Sequence, residues 1–71
     1  MIEIKTLTES DKQREVIYTT HGGHEFGRIT SWNDRFIFVR YHLKVFDDGI
    51  PVARTGITSE ATRPEDLEWS S

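Results

Sequence analysis

The sequence predicts an all-β fold, and three observations carry that prediction. Residues 26–46 hold six of the chain's eight aromatic side chains together with five β-branched ones, the types that pack best on a pleated surface. Short turn signals separate the apolar runs: Gly22-Gly23, Asn33-Asp34 and Asp47-Asp48-Gly49. The polar stretch 5–13 has no sustained period that would make it a helix of any length.

Each element follows from its residues. In 5–13, Thr8-Glu9-Ser10-Asp11 offers capping side chains, which gives one helical turn or a polar loop. Val16-Ile17-Tyr18-Thr19-Thr20 is β-branched and aromatic, and predicts a strand. His21-Gly22-Gly23-His24 then turns the chain, because glycine reaches positive φ at little cost. A second strand runs from about Glu25 to Trp32, with Gly27 marking a bulge or bend. Asn33-Asp34 supplies the next turn, and residues 35–46 form the longest strand.

Alternation along that strand places Ile37, Val39, Tyr41, Leu43 and Val45 on one face. Phe36, Phe38, Arg40, His42 and Lys44 fall on the other, so Phe36 and Phe38 should be covered by something. Asp47-Asp48-Gly49 closes a hairpin onto a weaker strand from Ile50 to Thr58, where Pro51 points to an edge. Thr62 can cap a single helical turn with Pro64 at its start and Glu65 and Asp66 at its positive end. Leu67-Glu68-Trp69 resumes an extended pattern. The expected order is five short strands with one helical turn before the last.

Composition narrows the function classes. Seventy-one residues are read as one domain spanning 1–71, with residues 1–13 as a partly ordered N-terminal arm. Apolar residues make up 35% and charged residues 30%, too apolar for a disordered tail but lean for a core. There is no cysteine to staple the fold, which fits a reducing compartment; a cytoplasmic location is expected. Met1-Ile2-Glu3-Ile4-Lys5 is charged at once and does not resemble a signal peptide or a membrane span. Barrel closure or self-association would bury the surface that remains.

The net charge of −3 is unevenly placed. Arg28, Arg35, Arg40 and Lys44 face Asp34 alone within 26–46, whereas Asp47 onward is rich in Asp and Glu. A basic sheet with an acidic rim is expected, and the overall sign opposes tight non-specific nucleic-acid binding.

Two resemblances add to this reading. The order of strands, with a one-turn helix leading into a short closing strand, resembles a small five-stranded SH3-like barrel. Residues 27–39 (Gly-Arg-Ile-Thr-Ser-Trp-Asn-Asp-Arg-Phe-Ile-Phe-Val) and 61–68 (Ala-Thr-Arg-Pro-Glu-Asp-Leu-Glu) resemble segments of small bacteriophage and prophage proteins of unassigned function. That similarity covers most of 8–69, leaves 43–54 unmatched, and implies the barrel fold without an activity. Gly27, Ile29 and Trp32, with Pro64, Leu67 and Glu68, are also similar to the outline of type II dihydrofolate reductases. Those enzymes line a pore with Gln-Ile-Tyr, where this chain has Gly56-Ile57-Thr58-Ser59, so only the barrel is implied and not the chemistry.

Trp32, Arg35, Arg40, Arg28 and Tyr41, with Phe36 and Phe38, form the best partner surface, since aromatic and Arg side chains dominate hot spots and also stack on bases. A barrel this small is expected to hold Phe36 and Phe38 inside, with a partner or self-association surface the other reading. Glu60, Glu65, Asp66 and Glu68 form an acidic edge that could face a basic partner or serve only capping and solubility. His21, His24 and Glu25, with His42, match no metal cage. Asp47-Asp48 and Glu65-Asp66 are adjacent pairs on turns, and no serine sits in an elbow motif. No enzyme activity, cofactor or metal is therefore expected. The leading expectation is a protein-binding module, a phage-encoded accessory factor or inhibitor of a host protein, with no membrane association. A nucleic-acid accessory protein using the same patch is the alternative, and an oligomeric pore enzyme the third.

Overall fold

A computed structural model describes residues 1–20, 22–54 and 58–70. Six strands form one antiparallel sheet: β1 (Glu15–Thr20), β2 (Gly23–Trp32), β3 (Ile37–Phe46), β4 (Pro51–Ala53), β5 (Glu60–Thr62) and β6 (Leu67–Trp69). The order is β4-β3-β2-β1-β6, with β5 on the same edge of β3 as β4. No α-helix occurs among the described residues; short 3₁₀ turns span Ile4–Thr6, Glu9–Asp11 and Pro64–Asp66. No helix among them is long and apolar enough to cross a membrane.

The expected closed five-stranded barrel is corrected on two points. Among the described residues the sheet has six strands and does not close. Strands β5 and β6 are three residues each and lie on opposite edges, β5 on β3 and β6 on β1. The 3₁₀ turn at Pro64–Asp66 carries the chain between those edges, so a connection and not a ladder spans the gap.

The turns follow their residues. Asn33 Oδ1 accepts hydrogen bonds from the backbone N–H groups of Arg35 at 2.8 Å and Phe36 at 2.7 Å, an Asx turn that starts β3 at Ile37 and not at Arg35. Gly49 adopts φ +85° and donates to the Phe46 carbonyl at 2.8 Å, closing the β3–β4 hairpin. The expected strand from Ile50 to Thr58 is strand only at Pro51–Ala53; residues 55–57 lie outside the described residues.

Two register shifts bend β2 against β3, at Phe26/Gly27 and at Ile29/Ser31. At the first, Gly27 opposes Tyr41 while Phe26 opposes Leu43, so His42 is an extra residue on β3. This slip overturns the simple alternation of 35–46. Ile37, Val39 and Tyr41 are buried as expected, but Leu43 moves to the outer face with Phe26, and Lys44 moves to the core side opposite Glu25.

The core consists of Ile2, Leu7, Val16, Ile29, Ile37, Val39, Tyr41 and Leu67. Residues 1–13, read as a partly ordered arm, supply two of these. Ile2 N–H donates to the Pro64 carbonyl at 3.1 Å, and its side chain is 1% exposed. The arm thus lies on the core face of a sheet too small to cover itself.

Candidate functional site

Residues directly opposed on neighbouring strands share a face. Glu15 opposes Arg28 and Arg28 opposes Arg40, so a charged row crosses the outer face of β1, β2 and β3. Arg28 Nη1 donates to the Gln13 carbonyl at 2.9 Å, and its Nη2 is 3.9 Å from Glu15 Oε2. The same Glu15 oxygen lies 3.7 Å from His42 Nε2. Among the described residues Arg40 has no ion pair and no side-chain hydrogen bond. Gln13, Arg28, Arg40 and His42 line a recess of about 220 Å³.

Gln13 holds φ +73°, an uncommon value for a residue with a Cβ. Its N–H donates to the Ile29 carbonyl at 2.8 Å while its own carbonyl accepts from Arg28. Those two bonds fix the strained residue, and with it the position of the Arg28 guanidinium. Half-buried Phe38 lies two residues from Arg40 on the same face. Beyond the bulge, Ile17, Phe26 and Leu43 form a half-buried apolar row.

The residues grouped by the sequence reading separate here. Arg28 and Arg40 come together; Arg35 is exposed at the Asn33–Phe36 turn. Trp32 is half-buried against the core, with Lys12 Nζ 5.8 Å from its ring centroid. Tyr41 is removed from the outer surface, because the strand alternation points it inward. It is 5% exposed, and its hydroxyl is 2.7 Å from Thr62 Oγ1. Phe36 is 36% exposed.

The acidic edge is ion-paired within the chain. Arg63 Nε lies 3.1 Å from Asp66 Oδ2 and 3.5 Å from Glu65 Oε1, Arg54 Nη2 lies 2.9 Å from Glu60 Oε2, and Glu68 meets the Met1 amino group. Glu60 and Asp66 line a cleft of about 260 Å³ on the core side, with Tyr18, Tyr41, Thr62 and Arg63. The Tyr18 and Tyr41 rings are 6.1 Å apart. Burial pushes the Tyr41 hydroxyl up to about 12, the Thr62 hydrogen bond opposing that rise and the Glu25 and Glu60 carboxylates adding to it. For Arg54, burial pulls the pKa down, and the Glu25 and Glu60 carboxylates outweigh it, leaving the guanidinium above its ordinary value.

Gln13, Glu25 and Arg54 were not singled out as binding residues by the sequence. Gln13 lies in a polar stretch without a motif. Glu25 and Arg54 are 29 residues apart and meet only through the bulged register. Of the weighed metal candidates, His21 lies outside the described residues, and no group of three or more His, Cys, Asp or Glu converges among those described. Comparison with protein-family models, curated proteins and solved structures finds no match.

Proposed function

We propose that the protein is a non-enzymatic binding module that docks an acidic segment of another protein on its outer-face arginines. The observation that carries this reading is the direct opposition of Arg28 and Arg40, with Arg40 in no ion pair among the described residues. Like charges opposed across strands oppose folding by roughly 0.2–1 kcal/mol. An external carboxylate bridging the two guanidinium groups relieves that repulsion and gains charge-assisted hydrogen bonds. The apolar flank of Phe38, Phe26 and Leu43 gives such a segment something to pack against.

The reading extends to an SH3-like accessory factor or inhibitor of phage origin, acting on a host protein by occlusion. The likeness of 27–39 and 61–68 to phage proteins supports this, as does a 3₁₀ turn leading into the strand that pairs with β1. Exposed Phe36, Phe46, Ile50 and Val52 support self-association as part of it.

One observation favours nucleic acid instead: Phe26 and Phe38 each lie two residues from an arginine, Arg28 and Arg40, on the same strand face, where rings could stack on bases. The net charge of −3 weighs against it. Fluorescence anisotropy with a labelled short Glu-rich peptide, and with single- and double-stranded DNA and RNA across salt, separates the two. Peptide binding without nucleic-acid binding at low salt supports the protein reading. Nucleic-acid affinity that falls steeply with salt establishes the other.

A further inference from the structure

We infer that the Glu25–Tyr41–Glu60 site beside the core-side cleft is a receptor for an arginine side chain, and that Arg54 is its resident, displaceable occupant. The site is built by three strands. Glu25 comes from β2, Tyr41 from β3 and Glu60 from β5. Arg54 enters from the end of β4, with its Cζ 5.6 Å from the Tyr41 ring centroid. Its Nη1 donates to Glu25 Oε1 and its Nη2 lies 2.9 Å from Glu60 Oε2.

An aromatic ring within cation–π range and separate carboxylates on both terminal nitrogens are contacts by which a guanidinium is recognised. A lysine ammonium, a point charge, cannot stack and bridge in the same way. The receptor half is the better fixed of the two. The Glu25 side chain is 13% exposed and Tyr41 is held by Thr62, whereas the Arg54 side chain is 34% exposed and follows a strand whose three residues are all exposed. Arg54 N–H donates to the His42 carbonyl at 3.1 Å, so the side chain can leave by its own rotations while the backbone stays.

There is also room and a charge reason. The adjoining cleft of about 260 Å³ shares Tyr41 and Glu60 with Arg54 and adds Tyr18, Thr62 and Asp66. Around it stand Glu25, Glu60, Glu65 and Asp66 against Arg54, Arg63 and Lys44 opposite Glu25, an excess of one carboxylate that favours a cation. The occupant is therefore an arginine presented on another polypeptide, and Arg54 lowers its apparent affinity by holding the site. This site is separate from the outer-face arginines, so either can fail alone.

The test titrates N-acetyl-arginine methylamide into ¹⁵N-labelled wild type and Arg54→Gln, with N-acetyl-lysine methylamide as the control. Arg54→Gln should bind the arginine probe roughly tenfold or more tightly than wild type, as expected when an occupant is removed. Shifts should centre on Glu25, Tyr41 and Glu60, with much weaker lysine binding, and Glu60→Gln in the same background should abolish them. No shifts at those residues in folded Arg54→Gln, or equal binding of the two probes, overturns the inference. Should Arg54→Gln not fold, the Arg54 Nε–Hε resonance of wild type decides. Excess arginine probe should move it toward its solvent-exposed position, and a resonance that stays in place refutes displacement.

Discussion

Arg28 and Arg40 stand directly opposite each other across β2 and β3, and among the described residues only Arg28 has a carboxylate near it, Glu15 at 3.9 Å. A fold that needed this pair for stability would place opposite charges there. The arrangement therefore separates stability from binding. Arg40→Glu should raise stability by about 0.2–1 kcal/mol through a cross-strand pair with Arg28. The same change should abolish binding of the Glu-rich peptide. Urea denaturation and anisotropy on the same samples check both halves.

The Tyr41–Thr62 hydrogen bond crosses from β3 to the end of β5 inside the core. Tyr41→Phe removes its donor or acceptor while keeping the ring, and should lower stability by about 1–2 kcal/mol in urea denaturation.

Tyr41 also sets an alkaline limit. With its folded pKa at about 12 against the ordinary 10.0, the folded state keeps its proton between those values while the unfolded chain loses it. The stabilisation is complete below pH 10 and is lost as pH rises toward 12, a loss on the order of 2 kcal/mol. Tyr41→Phe should lack this component, so the wild-type and variant stability curves should converge between pH 10 and 12.

The bend at Gly27 depends on the missing Cβ. A methyl group there would lie 2.6 Å from Val39 Cγ1 and 2.8 Å from the Arg40 carbonyl oxygen, so β3 would have to move. Gly27→Ala should cost about 1–3 kcal/mol or more. Gly22→Ala, where an added Cβ meets nothing within 4 Å, should stay within about 0.5 kcal/mol of wild type. Thermal melts of the two variants provide the comparison.

Ile2 tests the packing of the N-terminal residues. At 1% exposed it belongs to the core, and Ile2→Ala should cost about 2–5 kcal/mol by denaturant melt, enough to threaten so small a fold. An exposed arm would show almost no change.

The sequence revealed what depends on local pattern. Alternation found the buried set Ile37, Val39 and Tyr41, and turn chemistry found Asn33-Asp34 and Asp47-Asp48-Gly49. What it missed depends on pairing. Glu60-Ala61-Thr62 is strand because β3 is beside it, and three residues carry no period of their own. The extra residue at His42 leaves no local mark, yet it reverses the faces of Leu43 and Lys44. Ile2 and Leu7 lie in a short stretch without a sustained apolar period, and only tertiary contact shows that they are core. Likewise Arg28 and Arg40 were legible as candidates, but their opposition follows from a register with two shifts. Arg54 had no sequence signal, and Glu25 drew notice only beside His21 and His24, not as a partner of Arg54.

The central claim is that the opposed arginines form an anion-binding surface for a protein segment. The most direct test maps amide and Arg side-chain shifts of the ¹⁵N-labelled protein on addition of a short Glu-rich peptide. The largest shifts should fall on Gln13, Arg28, Arg40 and His42, and vanish in Arg40→Glu. Shifts centred elsewhere, or unchanged in that variant, would contradict it.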